Sequence, residues 1–300
     1  MPYDKEELEK FRQSGKILRE TREEMRSYVR ENMPIIEVCE KAEGLIQQKG
    51  GKPAFPCNVS INEVTAHYTS PPGDTARIPE GSTVKVDIGV QVDGYVTDTA
   101  FTAAFGAEGR SMVATAELAL KTAIDNVHGD MALGKIGSLI ESAIKNRGFK
   151  PISNLCGHSV GRYLIHAGTS IPNVAGFSPN KVKTGEVYAI EPFVTLPEAS
   201  GRVEDSPQIT IYRLLKAKST KSEAAKKMLK YIETNFRTLP FAERWLVDVV
   251  PADQHKAAFK ELFAIKAIMG YPVFVEETKK PVAQAEHTFL IKDEGCEVLT

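Results

Sequence analysis

The segment "STVKVDIGVQVDGYVTDTAFTAAF" at 82–105 constrains this chain more than any other. Val84, Val86, Ile88, Val90 and Val92 alternate with other residues, which is the period of a strand with one buried face. Asp93-Gly94 is the dipeptide of a two-residue turn, so the segment predicts a β-hairpin. The turn sets the register: Val92 pairs with Tyr95, Gly89 with Asp98, and Asp87 with Ala100. The valines then share one face. Asp87 and Asp98 share the other as diagonal neighbours, within reach of one cation. Two carboxylates so placed repel each other unless positive charge lies between them. A solvated sheet face would also tolerate them, and the hairpin alone leaves both readings open.

Around this hairpin the pattern alternates between helical and extended texture. Residues 4–30 read as a long surface helix, with Leu8, Phe11, Leu18, Met25 and Val29 at helical spacing and Asp4 with Glu7 as a capping box. A second helix is expected over 37–49, stopped by Gly50. "AFPCNVSINEVTAHYTS" then reads as strand, and "PPGD" as a turn. After the hairpin come two helices, about 111–127 and 135–147, the second closed by Gly148. "EVYAIEPFV" and "ITIYRLL" read as later strands. The order helix, helix, strands, helix, helix, strands is a duplication at the level of elements, with no sequence repeat behind it. Residues 219–272 depart from it with three helices. The first carries Ala225, Met228, Leu229, Ile232 and Phe236, the second is "PFAERWLV", and the third carries Phe259, Leu262, Phe263 and Ile268. Strand texture resumes in "AEHTFLIK", so this is an insert rather than a separate domain. Its nine Lys/Arg against six Asp/Glu over 221–272 fit a solvated helical surface.

Bulk properties exclude several classes. A net charge of -1 over 300 residues gives no sign of a nucleic-acid or membrane-surface protein. No run of about 18 apolar residues occurs, so no transmembrane helix is expected. The charged start "MPYDKEELEKFRQSGK" lacks the apolar core of a signal peptide. Cys39, Cys57, Cys156 and Cys296 form no CxxC pair and read as reduced thiols, which fits the cytoplasm.

Further chemistry lies in the strands. In "EVYAIEPFV", taken as one strand, Val187, Ala189, Glu191 and Phe193 point the same way, so Glu191 is a lone acid in apolar surroundings and calls for a partner. In "AEHTFLIK", Glu286 shares a face with Thr288 and Leu290, and by itself reads as an ordinary exposed strand residue. His158 and His166 stand eight residues apart in "NLCGHSVGRYLIHAGTSIPN". Glycines at 157, 161 and 168 argue against a helix, and an extended run of that length spans about 26 Å, too far for one ion. His67 precedes a turn. His128 and His255 read as surface residues. Taken together, four carboxylates and one imidazole suit a pair of divalent ions, with the remaining histidines free to contact substrate.

Five segments carry a family resemblance: "AHYTSPPGD" at 66–74, "VKVDIGVQVDGYVTDTAFT" at 84–102, "NLCGHSVGRYLIHAG" at 154–168, "GEVYAIEPF" at 185–193 and "AQAEHTFLI" at 283–291. In this order they resemble the methionine aminopeptidases. The helical insert, with "LPFAERWL", is similar to the type II branch and its archaeal members. The resemblance implies an α+β pita-bread fold: two pseudo-twofold helix-helix-strand units around a curved antiparallel sheet. Residues 1–211 and 273–300 would form the catalytic domain and 212–272 the inserted subdomain. It implies a hydrolase that removes the initiator methionine from nascent chains when the second residue is small. The metal ligands implied are Asp87, Asp98, His158, Glu191 and Glu286, holding two divalent ions (cobalt, manganese, iron or zinc), with Asp98 and Glu286 shared and Glu191 also relaying a proton. His67 and His166 would contact substrate, and Phe55, Ile165, Phe193 and Tyr271 would wall the methionine pocket. Cys156 stands where many eukaryotic type II members carry Asn. A cytoplasmic monomer is implied, meeting nascent N-termini at or near the ribosome, with no stable nucleic-acid or membrane binding of its own. Two other readings share the resemblance: an X-Pro aminopeptidase or prolidase, and a non-catalytic binding protein of the same fold. Such binding relatives typically lose metal ligands, and here all five are present.

Overall fold

In the computed structural model, which describes residues 2–300, the hairpin adopts the register its turn dictates. Strands β3 (Thr83–Val92) and β4 (Tyr95–Ala104) are preceded by α1 (Lys5–Tyr28), α2 (Ile35–Gln48), β1 (Lys52–Ile61) and β2 (Val64–Ala66). Val92 pairs with Tyr95, Gly89 with Asp98 and Asp87 with Ala100. Asp93 and Gly94 have φ of 51° and 91°, the positive values such a turn needs. The expected capping box forms: Asp4 Oδ1 accepts from Glu7 N–H and Glu7 Oε2 from Asp4 N–H, each at 2.9 Å. Such a cap contributes about 1 kcal/mol, whereas each fully buried Leu, Phe or Met of α1 contributes about 1.5–3 kcal/mol. Packing therefore holds α1 in place and the cap only sets where it begins. With α2, it covers the valine face of β1 and β3 in one core that includes Leu18, Met25, Val38, Ile46, Val84, Val86, Ile88 and Val90.

The second half repeats the plan. Helices α3 (Ala107–Asn126) and α4 (Leu133–Lys145) are followed by β5 (Lys150–Pro151), β6 (Cys156–Ser159), β7 (Ser170–Pro172), β8 (Val187–Ile190), β9 (Phe193–Thr195) and β10 (Val203–Leu214). After an insert come β12 (Ile268–Glu276), β13 (Val282–Gln284), β14 (Glu286–Ile291) and β15 (Cys296–Val298). The main sheet has eight strands, in the order β1-β3-β4-β14-β8-β6-β7, with β15 paired to β14. Helices α3 and α4 close a second core with Ile171, Tyr188, Ile190, Phe289 and Ile291. Two helix pairs thus cover one face of a single antiparallel sheet. The joint between the halves is β4–β14, where Glu286 pairs with Ala100 and His287 with Thr99.

"EVYAIEPFV" is not one strand. Pro192 offers no N–H to a ladder, and the chain changes sheet there. β8 stays in the main sheet, while β9 joins a three-stranded sheet of order β13-β9-β5. The insert also differs in detail. After α5 (Glu223–Asn235), "PFAERWLV" forms a two-residue strand, β11 (Phe241–Ala242), and a 3-10 turn (Glu243–Leu246) rather than a helix. Its third helix, α6 (Ala252–Ala264), ends before Ile268, which opens β12. β10 pairs with both β11 and β12 in a sheet of order β11-β10-β12-β2, so the insert is slung between two strands that are themselves paired. It has its own core, including Met228, Ile232, Phe241, Leu246 and Leu262.

One glycine of the histidine segment is required by close approach. A Cβ on Gly157 would lie 2.3 Å from the Ala189 carbonyl oxygen of the adjoining strand β8. Gly44, in the interior of α2, has nothing within 4 Å of its missing Cβ. Urea unfolding should separate them. Gly157→Ala is expected to lose about 1–3 kcal/mol and Gly44→Ala to gain about 0.5–1 kcal/mol. An unshifted midpoint for Gly157→Ala would contradict the tight β6–β8 contact.

Candidate metal centre

The uncovered face of the sheet carries the chemistry in two rows. One row crosses Gly89, Asp98, Thr288, Ala189 and His158; the other crosses Asn58, Asp87, Ala100 and Glu286. Thr288 sits beside Asp98, its Oγ1 accepting from Asp98 N–H and donating to Asp98 O, both at 2.8 Å. Small residues alternate with long ones, so each carboxylate has room to converge on the same space. Asp98, His158 and Glu286 present ligand atoms within 4.8 Å of one another, and the three are 4%, 5% and 1% exposed. Glu191 leans in from just beyond the end of β8, its Oε1 3.7 Å from His158 Nε2, while Asp98 Oδ2 lies 3.8 Å from the same nitrogen. Asp87 and Glu191 are half-buried at the edge of this cluster. Glu286, which alone reads as exposed, is fully enclosed.

The electrostatics of the cluster are those of crowded acids. Burial first, then neighbouring acids, pushes the pKa of Asp98, Glu191 and Glu286 well above the usual carboxylate range. Burial lifts Asp87 to about 7. Gln284 reaches in from outside the set, its Nε2 3.3 Å from Glu191 Oε2 and 3.5 Å from Glu286 Oε2. Asp87 Oδ1, Asp98 Oδ1, Glu286 Oε1 and His158 Nδ1 are buried with no hydrogen-bond partner among the described residues. Unpartnered buried oxygens on acids packed this tightly fit a site for divalent cations, the charge that would satisfy them.

His158 and His166, which an extended run would hold about 26 Å apart, end side by side. Their ring centroids are 4.3 Å apart at an interplanar angle of 80°. The assumption of an extended run fails because the chain doubles back: Ser159 N–H bonds to Thr169 O and Ala167 N–H to Ser159 O. Tyr163 (φ 56°) and Gly168 (φ 107°) allow the reversal. Burial and His166 lower the pKa of His158 to about 3, so it stays neutral. His166 is exposed at the rim, with its own pKa lowered by the protein on its inner side. His67 also has a lowered pKa, about 4, mainly from burial. Its Nδ1 lies 3.2 Å from the Pro272 carbonyl, which only accepts, so Nδ1 carries the proton and Nε2 is left as an acceptor.

The remaining residues scatter. Phe55 lies across Gly89, where a Cβ would come within 2.2 Å of its ring, and it clusters with Val96, Leu239, Tyr163 and Ile165 beside the Asp98 row. Tyr271 stands 5.6 Å from the His67 ring. Phe193 no longer shares a strand face with Glu191; it packs against Ile152, Val203 and Val282 in a separate cluster. His255 is not a surface residue. Its side chain is 13% exposed and its Nε2 lies 3.1 Å from Glu243. His128 is exposed.

Three contributors escape sequence reading. Gln284 is an unremarkable amide in a strand. Asn173, fully buried, donates to the Glu191 and Leu155 carbonyls and so fixes the backbone where β8 ends. His287, behind Glu286, lies 2.8 Å from Arg22 Nη1 of α1. The alternation of β14 does place His287 opposite Glu286, but nothing local names its partner.

The raised carboxyl values set a pH dependence. Protons held by the folded metal-free chain stabilise it below the unfolded carboxylate range near pH 4, and that contribution is lost as pH rises through about 7 for Asp87 and through the raised values of Asp98, Glu191 and Glu286. A cation bound by these acids displaces the protons. The gap in Tm between manganese-loaded and metal-free protein should therefore widen from pH 6.5 to 8.5, and calorimetry in buffers of different ionisation enthalpy should record proton release on binding. A gap that narrows with pH would contradict this charge arrangement.

A family model for metallopeptidase family M24 matches residues 9–242. A methionine aminopeptidase of Methanothermobacter thermautotrophicus is 41% identical over 296 residues, 98% of each chain. Among solved structures, a methionine aminopeptidase from Thermotoga maritima aligns with a TM-score of 0.72 at 22% identity, over 99% of this chain and 98% of that one. A thermophilic Arx1 aligns with a TM-score of 0.81 at 19% identity, over 99% and 91%. These structures share the pita-bread fold described above. With the family model spanning most of its length and a full-length relative at 41% identity, this chain belongs to metallopeptidase family M24.

Proposed function

We propose that this chain is a methionine aminopeptidase that releases the first methionine of polypeptides whose second residue is small. The observation that carries the reading is the convergence of Asp87, Asp98, His158, Glu191 and Glu286 on one face of the sheet, with buried oxygens that lack partners. The full-length likeness to methionine aminopeptidases selects that activity over the proline-directed one. Those five side chains would hold two divalent ions, drawn from cobalt, manganese, iron and zinc. When bound, the ions acidify a water and polarise the scissile carbonyl.

The chain's own residues supply the rest. Glu191 has a carboxyl whose pKa is well above the usual range, so it takes up a proton readily and can hand it to the departing amine. His67 is held neutral, and with its Nδ1 proton committed to Pro272 its Nε2 can accept from a substrate N–H. His166, at the rim beside His158, would donate to the oxygen on which negative charge develops. Phe55 and Ile165 belong to an apolar cluster beside the Asp98 row that would receive the methionine side chain, and Tyr271 flanks His67. Phe193 would act from behind, as packing. Nascent N-termini are the natural substrates, met in the cytoplasm. Among the described residues no helix is long and apolar enough to cross a membrane.

Two measurements test this. Metal-free protein reloaded with each ion should release methionine from Met-Ala peptides far faster than from Met-Leu peptides. Cleavage of X-Pro peptides alone would overturn the assignment. His158→Ala is expected to lose bound metal, whereas His166→Ala should keep it and slow turnover about 10²-fold. Equal metal loss in both variants would reject the division of labour between them.

A further inference from the structure

His67 has φ of 66°, a left-handed backbone in which an L-residue is strained by about 1–2 kcal/mol. A side-chain network encloses that backbone. Thr210 Oγ1, from β10, donates to His67 O at 3.2 Å and accepts from Thr69 N–H at 3.1 Å. Thr69 Oγ1 donates to Cys57 O at 2.7 Å and accepts from Arg244 Nη1 at 2.8 Å. Arg244 Nη1 also donates to Ser70 O at 3.0 Å. The other end of this guanidinium pairs with Glu43 of α2. Glu43 Oε1 further accepts from Cys57 N–H at 3.0 Å, and Oε2 from Trp245 Nε1 at 2.8 Å. The Arg244 and Glu43 side chains are only 7% and 9% exposed.

A buried ion pair adds little net stability over well-packed apolar side chains, because desolvation offsets the attraction. What such a pair does well is enforce one arrangement. Here that arrangement is the loop on the C-terminal side of His67, and the arginine that enforces it comes from the insert. We propose that Arg244 and Thr210 are positioning residues for His67, holding its left-handed backbone so that Nδ1 stays on the Pro272 carbonyl and the imidazole keeps its place beside Tyr271 and Phe274. The insert then supports the proposed catalytic centre instead of standing apart from it. This rests on the role given to His67 under the proposed function.

The competing account is that Arg244 merely fastens the insert to α2. Arg244→Lys keeps the charge beside Glu43 but loses the planar fork that reaches Thr69 and Ser70. Thr210→Val removes the hydroxyl at nearly constant volume and leaves the ion pair untouched. In metal-loaded protein each should lower kcat about 10-fold, with KM and metal content within about twofold of the parent. In a His67→Ala background neither should lower kcat further, because the residue they act through is gone. Parental kcat in Thr210→Val, or losses that multiply in the double variant, would overturn the proposal. If Arg244→Lys does not fold, Thr210→Val alone decides. If the parent cleaves no methionyl peptide, the functional reading falls and the ring 15N signals of His67 decide instead. A changed tautomer population in Thr210→Val supports the network, and unchanged signals refute it.

Discussion

The ladder between β3 and β4 is the constraint on which the rest of this structure depends. A two-residue turn at Asp93-Gly94 leaves no freedom of register, and register decides which face each side chain takes. The same choice that sends Val84, Val86, Ile88 and Val90 into the helix-covered core sends Asp87 and Asp98 to the open face. A slip of one residue would bury two carboxylates among valines and expose the core. The acids are therefore held against their mutual repulsion by hydrophobic burial on the opposite side of the same strands. Four raised carboxyl pKa values record what that arrangement costs without a cation.

The second half meets this ladder at β4–β14 and copies its logic. Glu286 falls beside Ala100, and Thr288 locks to the backbone of Asp98 through two hydrogen bonds. Alternating small residues with acids and His158 across five strands brings these side chains together on one polar patch, without any loop having to find its own conformation. This is how a rigid scaffold holds a metal site to fractions of an ångström. Only Glu191 departs from the lattice, standing where Pro192 ends the ladder and the chain leaves for a second sheet.

What the sequence disclosed follows from the range of the interactions. The hairpin, its register, the capping box and the first four helices are set by neighbours in the chain, and all were legible. The break at Pro192 was legible in principle, since proline withholds a ladder donor, but the run of apolar residues around it outweighed that signal. The meeting of His158 and His166 was not, because it depends on a reversal made by Tyr163 and Gly168 and held by backbone bonds to Ser159. Nor was the link from Glu43 through Arg244 to Thr69, whose members lie far apart in sequence. Each is an ordinary polar residue until the fold supplies its partner. The five candidate ligand positions were recognisable mainly through the wording of motifs; strand periodicity alone placed two of them on one face.

Lys85 carries the same principle to the edge of the site. It lies on the open face of β3, two residues before Asp87, and is 1% exposed. Burial lowers its pKa to about 7. No carboxylate pairs with it among the described residues. Its Nζ donates instead to Asn62 O at 3.0 Å and Val282 O at 2.8 Å, joining the β1–β2 turn to β13. Across the hairpin from it, Thr102 exchanges two hydrogen bonds with the backbone of Gln284. Lys85 and Thr102 together therefore clamp both ends of β13, the strand that delivers Gln284 and then Glu286 to the cluster. A buried ammonium is an expensive way to hold two carbonyls. Its value is that a single side chain ties three separate pieces of backbone, so the position of Glu286 follows from the hairpin that already positions Asp87 and Asp98.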